Sequence, residues 1–322
     1  MRLKATLDRT LAADRPGGGC ITVLLGLGDG SFQQAFHFDI HGTPSAMVAA
    51  DFNGDGTLDL AVATIAGDRP GGGCITVLSG LGNGSFVQTF DIPVNGRPTS
   101  LVTGDFNGDG ILDLAVATAE DRPGGGGCIV VLLGLGSQEG TGGFQQAFDI
   151  HVNGRPTSLV VGDFNGDGIL DLAVATVDVG DRPGGGCIIA LLGQVNGGFQ
   201  QAFDIHVNGR PTALVAGDFN GDGKLDLAVA TVDVGDRPGG GCITVLLGMG
   251  DGSFQQAFDI HVHGHPSALV AGDFDGDGNL DLAETNNGSL TILFGNGDGS
   301  FVSGPKVSLP ETGDDSSSES LG

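Results

Sequence analysis

Tryptophan and tyrosine are absent from the 322 residues, and methionine occurs only three times. Eighteen phenylalanines therefore carry nearly all the aromatic bulk available to a core. Basic residues are scarce as well: 13 Lys and Arg stand against 39 Asp and Glu, giving a net charge of −26. A protein that grips nucleic acid needs a basic surface, so that class is excluded. No apolar run is long enough to span a membrane. The opening MRLKATLDRTLAADRP lacks the apolar core of a signal peptide. No helical stripe is found, and neither a nucleophile elbow, a zinc-binding helix nor a P-loop occurs.

What is abundant is glycine, with 62 residues, alongside 39% hydrophobic content. This is a globular composition with many tight turns, and hence many short strands. The five cysteines, Cys20, Cys74, Cys128, Cys187 and Cys242, all occur in Gly-Gly-Gly-Cys-Ile. Equivalent places in separate repeats lie too far apart to bridge, so they read as small buried residues.

A repeat sets the architecture. Near-copies of DFNGDGTLDLAVAT start at Asp51, Asp105, Asp163, Asp218 and Asp273, spaced 54, 58, 55 and 55 residues apart. Each unit holds four apolar runs of β character; in the third these are 157–164, 170–176, 187–193 and 199–205. Alternation such as Leu170, Leu172 and Val174 against Asp171, Ala173 and Ala175 means strands. Between the third and fourth runs stand GLGDGSF, GLGNGSF, GMGDGSF and GNGDGSF, whose Asp-Gly and Asn-Gly steps mark tight hairpins rather than phosphate loops.

A four-stranded meander at this period predicts an all-β fold, a β-propeller of four-stranded antiparallel blades. Five blades are complete and a sixth is nearly so. Ala50, Gly104, Gly162, Gly217 and Gly272 end the first strands and fit strands converging on a central channel. Residues 1–13 read as a degenerate second strand, with ATLDRTLAA resembling GTLDLAVAT. The propeller covers 14–306, and 307–322 reads as a disordered polar tail. Closure as six blades and membership of a larger ring both remain open.

The repeated acidic string is D-x-N-x-D-G-x-x-D. Side-chain oxygens at positions 1, 3, 5 and 9, a carbonyl at 7 and a glycine at 6 form a loop suited to a hard cation. The predicted ligand sets run in chain order. The first is Asp51, Asn53, Asp55, the Thr57 carbonyl and Asp59. The second is Asp105, Asn107, Asp109, Ile111 and Asp113. The third is Asp163, Asn165, Asp167, Ile169 and Asp171. The fourth is Asp218, Asn220, Asp222, Lys224 and Asp226. The last is Asp273, Asp275, Asp277, Asn279 and Asp281. Position 12, where an EF-hand places a bidentate Glu, is Val62, Val116, Val174 and Val229, with Glu284 only in the last copy. Carboxylates about 4–5 Å apart repel by roughly 1–4 kcal/mol per pair at a protein surface. Over five loops that rivals a whole domain's stability of about 5–15 kcal/mol, so about five Ca2+ ions are expected as cofactors, one per loop.

DFNGDGxLDLAVAT followed by ITVLLGLGDGSF closely resembles the FG-GAP/VCBS repeat of integrin α-subunit propellers and many bacterial surface proteins, over about residues 14–306. The resemblance implies a calcium-bearing propeller, usually extracellular or at the cell surface, acting in adhesion or ligand binding. Integrin propellers have seven blades, more than are visible here.

In an up-and-down meander the calcium loops and Gly-Asp-Gly-Ser hairpins share one face. The opposite face gathers the DRPGGG loops and the crossings between blades. It carries Asp68, Arg69, Asp121, Arg122, Asp181, Arg182, Asp236 and Arg237, with Arg97, Arg155 and Arg210 from the crossings. The resemblance implies partner binding on this face; the residues themselves suggest a ring of Asp-Arg pairs there that takes an anionic or hydroxyl-rich ligand. The competing reading is that each pair only fixes its own loop. The expected function is a non-enzymatic adhesion module whose partner is an extracellular protein or glycan. The alternatives are a multivalent sugar-binding propeller and an accessory propeller of a polysaccharide-degrading enzyme. Leu309-Pro310-Glu311-Thr312-Gly313 resembles a sortase signal for cell-wall attachment, set against a plain polar tail or an appended tag.

Overall fold

The computed structural model describes residues 3–8, 18–29, 31–65, 72–119, 126–136, 143–177, 185–232 and 240–308. The ordered elements described are strands, in six antiparallel sheets. The first has three strands, β1 (Leu3–Asp8), β2 (Gly18–Gly26) and β3 (Phe32–His41). The other five are four-stranded meanders. The second comprises β4 (Thr43–Ala50), β5 (Asp59–Ile65), β6 (Gly72–Gly80) and β7 (Phe86–Asn95). The third comprises β8 (Arg97–Gly104), β9 (Asp113–Ala119), β10 (Gly126–Gly134) and β11 (Phe144–Asn153). The fourth comprises β12 (Arg155–Gly162), β13 (Asp171–Val177), β14 (Gly186–Gly193) and β15 (Phe199–Val207). The fifth comprises β16 (Arg210–Gly217), β17 (Asp226–Val232), β18 (Gly240–Gly248) and β19 (Phe254–His263). The sixth comprises β20 (Pro266–Gly272), β21 (Asp281–Asn286), β22 (Ser289–Gly295) and β23 (Phe301–Ser308). This is a β-propeller.

The pattern of burial follows the place of each strand in its blade. Every residue of β9 and β13, DLAVATA and DLAVATV, is buried, because neighbouring sheets cover both faces. The outer strand β15 keeps an exposed alternation. The first strands lie side by side, β4 against β8, β8 against β12, β12 against β16 and β16 against β20. Five apolar clusters are found among the described residues, and each joins two consecutive sheets. Phe106, Ala117 and Val131, for example, pack on Leu159, Val174 and Ile189 of the following sheet.

Two glycine positions serve these interfaces. A Cβ on Gly73 would lie 2.3 Å from Cδ of Pro98, so the last glycine of Gly-Gly-Gly-Cys lets the next sheet's proline seat. The prolines coincide with a register shift at the start of each first strand, as between Pro98 and Ser100, since proline cannot donate to the ladder. A Cβ on Gly104 would lie 2.7 Å from Cδ1 of Leu170 in the next sheet. Leu225 and Leu280 approach Gly162 and Gly217 in the same way, so in these three sheets the small residue also makes room for a leucine of the next.

The register of β1 differs from the alignment that the sequence suggests. Asp8 lies opposite Cys20 and Lys4 opposite Leu24. Matching ATLDRTLAA to GTLDLAVAT would instead have placed Arg9 at the Leu60 position, which faces Leu78 in the second sheet.

Candidate metal centres in the acidic loops

Each acidic loop joins the first and second strands of its sheet, and its shape is fixed by carboxylates accepting backbone N–H groups. In the first copy Asp51 Oδ1 accepts from Gly54 N at 2.8 Å, and Oδ2 from Gly56 N at 2.8 Å. Asn53 Oδ1 accepts from Asp55 N at 2.9 Å, and Asp55 Oδ1 from Thr57 N at 2.7 Å. Gly54 and Gly56 have φ of 73° and 84°, a backbone that side chains rarely tolerate, which is why the string needs glycine there. Asp163, Asn165 and Asp167 repeat this pattern, as do Asp218, Asn220 and Asp222. Asp105 accepts from Asp109 N and Gly110 N, and Asp109 in turn from Ile111 N.

The ninth position has a structural task that the sequence did not announce. Asp59 Oδ2 accepts from Phe52 N at 3.0 Å and Oδ1 from Gly80 N at 2.8 Å, so it ties the loop to the end of the third strand. Asp113 bonds Phe106 N and Gly134 N, Asp171 bonds Phe164 N and Gly193 N, Asp226 bonds Phe219 N and Gly248 N, and Asp281 bonds Phe274 N and Gly295 N. All five are buried. Burial holds the carboxyls of Asp59, Asp113, Asp171 and Asp226 above the usual range. The two N–H bonds oppose this, and the carboxylates at positions 5 and 1 add to it. Each carboxylate oxygen has a second lone pair, so these bonds leave capacity for a cation.

The last loop tests the fit to a hard cation. One oxygen each from Asp273, Asp275 and Asp281 lies within 4.8 Å of the others, about the width of an oxygen shell around calcium. This is the one acidic cluster of three found among the described residues. In the other four copies the third position is Asn53, Asn107, Asn165 or Asn220, which supplies an amide oxygen instead. Asp277 lies outside the cluster; it accepts from Asn279 N at 2.8 Å and Asn279 Nδ2 at 2.9 Å. Lys224 Nζ approaches Asp222 Oδ2 at 3.9 Å on the exposed side of its loop. Glu284, the acidic residue at position 12, is 2% exposed and faces the sheet interior, where burial pushes its carboxyl up.

The hairpins after the third strands stand beside the acidic loops. Thr57 Oγ1 donates to Gly80 O at 3.1 Å. Gly252 N and Gly299 N donate to the Phe164 and Phe219 carbonyls of the preceding sheet's loop, at 3.2 and 2.9 Å. Acidic loops and hairpins thus share a face. On the opposite one Arg97, Arg155 and Arg210 are exposed at the starts of β8, β12 and β16. Asp68, Arg69, Asp121, Arg122, Asp181, Arg182, Asp236 and Arg237 lie outside the described residues, as does the LPETG string.

No curated protein matches the chain. Among solved structures, a lectin of Agrocybe aegerita that recognises non-reducing terminal N-acetylglucosamine is similar with a TM-score of 0.53 and 15% identity, over 96% of this chain and 80% of the lectin. The periplasmic gluconolactonase of Pseudomonas aeruginosa is similar with a TM-score of 0.59 and 14% identity, over 96% of this chain and 83% of the enzyme. Such identities speak to the fold alone. The FG-GAP-like repeat is matched by residues 10–62, 64–116, 119–174, 218–284 and 273–320, and the chain belongs to that family.

Proposed function

We propose that this protein is a calcium-stabilised, extracellular or surface-exposed binding module, with its partner on the face opposite the acidic loops. The observation that carries the reading is repetition. The same carboxylate network recurs in one sheet after another, which suits structural ions and not a single asymmetric reaction centre. The oxygen donors of each loop would hold the ion, with the carbonyls of Thr57, Ile111, Ile169, Lys224 and Asn279 completing the shells. At millimolar calcium and a dissociation constant of about 0.1–1 mM, each ion contributes roughly 0.4–1.5 kcal/mol, a useful amount only where calcium is plentiful. That supports a place outside the cell.

Arg97, Arg155 and Arg210 support a ligand rich in acidic or hydroxyl groups, since equivalent guanidinium groups from three sheets reach the same face. The extracellular protein is the leading partner, and a glycan bound at one shallow site per blade is the second reading. The fold is shared by a lectin and by a lactone-hydrolysing enzyme, so it does not choose between binding and catalysis. If LPETG acts as a sorting signal, it would fasten the module to a cell wall.

The test probes matrix proteins and a glycan array with the calcium-loaded chain and with a variant replacing Arg97, Arg155 and Arg210 by Ala. Binding that the variant loses while keeping its circular dichroism supports this face. Equal binding by both proteins would move the site elsewhere, and turnover of lactones at a rate above buffer would favour an enzyme.

A further inference from the structure

We propose that the packing of the sixth sheet on the fifth is governed by one proton, carried by Glu284. The last copy of the repeat breaks its own pattern at this position. Val62, Val116, Val174 and Val229 stand there in the other copies, and all four are fully buried. Val116, Val174 and Val229 each share an apolar cluster with alanines of the preceding sheet, as Val174 does with Ala115 and Ala117. Glu284 inherits that direction. It lies on β21 between Leu269 of β20 and Thr291 of β22. Leu282, two residues earlier on the same strand, joins the cluster that holds Ala228 and Ala230 of the fifth sheet.

The surroundings satisfy the carboxyl only in part. The side chains of Thr291 and Asn286 bond it, yet Oε2 is buried with no hydrogen-bond partner among the described residues. Strands β16 to β19 of the fifth sheet bring Val215, Ala230, Ile243, Val245 and Ile260 to the joint, none of them titratable. A charge there lacks both water and a second donor, so burial favours the neutral acid. One charged group opposes this. Lys306 on β23 lies opposite Thr291, and its charge favours the ionised form. The equivalent places on β7, β11, β15 and β19 hold Asp91, Asp149, Asp204 and Asp259. The change from valine to glutamate on β21 is thus matched by a change from aspartate to lysine on β23.

These features give the joint two states. Neutral, Glu284 stays in the apolar interface and the sixth sheet remains docked. Ionised, it is stable only where water and Lys306 reach it, which requires the two sheets to part. A carboxyl raised on folding adds stability that is present below its unfolded value of 4.5 and lost as pH climbs through the folded one. The joint therefore holds in acid and loosens toward neutrality, by local opening of one sheet rather than by unfolding of the chain.

The test follows hydrogen exchange of the full chain from pH 5 to pH 8 with calcium present, expressed as protection factors so that the intrinsic pH dependence of exchange is removed. Protection of β21 and β22 should fall about fivefold or more across that range relative to β17 and β18. Glu284→Gln keeps the shape of the side chain and the whole acidic loop, so it separates this proton from those of the loop. That variant should flatten the difference, and so should Glu284→Val, which restores the residue of the other copies. Lys306→Gln should move the fall to higher pH. A fall of the same size in both Glu284 variants, or equal courses for the fifth and sixth sheets in the unaltered chain, would overturn the proposal.

Discussion

At the scale of single residues, the ninth position of each acidic loop does two things at once. Asp171 accepts from the N–H groups of Phe164 and Gly193, both at 2.8 Å, and it is fully buried. Removing a buried acceptor leaves its donors without partners, at about 1–3 kcal/mol each. Asp171→Ala should therefore destabilise the chain by about 2–5 kcal/mol even when calcium has been chelated. Asp167 sits in the same loop but bonds only local groups on the exposed side, so Asp167→Ala should cost much less without calcium. Urea titrations of both variants in chelator check this, and equal losses would mean that the ninth carboxylate has no structural task. The cysteines follow the same logic of burial. Cys187 and Cys242 are buried thiols pushed up to about 11, mainly by loss of water and then by Asp204 and Asp259 respectively. That suits packing rather than redox chemistry.

At the scale of strands and sheets, the phenylalanine pairs are the rivets between blades. Phe106 is 1% exposed between two sheets, whereas Phe274, its counterpart in the sixth sheet, is 49% exposed. Phe106→Ala leaves a cavity in a packed interface and should cost about 3–5 kcal/mol, while Phe274→Ala should cost well under half of that. Denaturant midpoints of the two variants decide it; similar losses would show that the sixth sheet's outer face is covered in solution. The sequence made much of this level readable. The strand runs in the third repeat were legible because period-2 alternation survives in LDLAVAT, and the hairpins because Asp-Gly and Asn-Gly announce them. The interlocks between sheets were not. Phe106 and Phe199 lie far apart in the chain, and nothing local in Asp-Phe-Asn-Gly says that its ring belongs to the next blade. The buried role of Asp171 was hidden for a related reason: a carboxylate in an acidic string looks like a ligand, and its bond to Gly193 depends on a strand pairing formed 22 residues later. The small residues ending the first strands were noticed, but the leucines of the following repeat that lie against Gly104, Gly162 and Gly217 were not.

At the scale of the whole molecule, the net charge of −26 and the repeated acidic loops make stability depend jointly on cation and pH. Asp59, Asp113, Asp171 and Asp226 have carboxyls raised above the usual value of 3.8. A group raised on folding adds stability that is fully present below its unfolded pKa and lost as pH climbs through the folded one. In chelator these four therefore penalise the fold at neutral pH and relieve it as the medium is acidified. Asp29, Asp55, Asp251 and Asp298 work in the opposite sense and in another window. Hydrogen bonds from the side chain and backbone two residues on lower them, so their contribution holds above 3.8 and disappears as pH falls through their folded values. The chelated chain should thus melt at a higher temperature near pH 4.5 than near pH 7, with stability falling away again at about pH 3. Millimolar calcium should reverse the upper part of that profile, because a bound cation favours the ionised loops and protons compete with it. Melting curves at the three pH values, with calcium and with chelator, read both trends. Parallel profiles in the two conditions would mean that no cation enters the acidic loops.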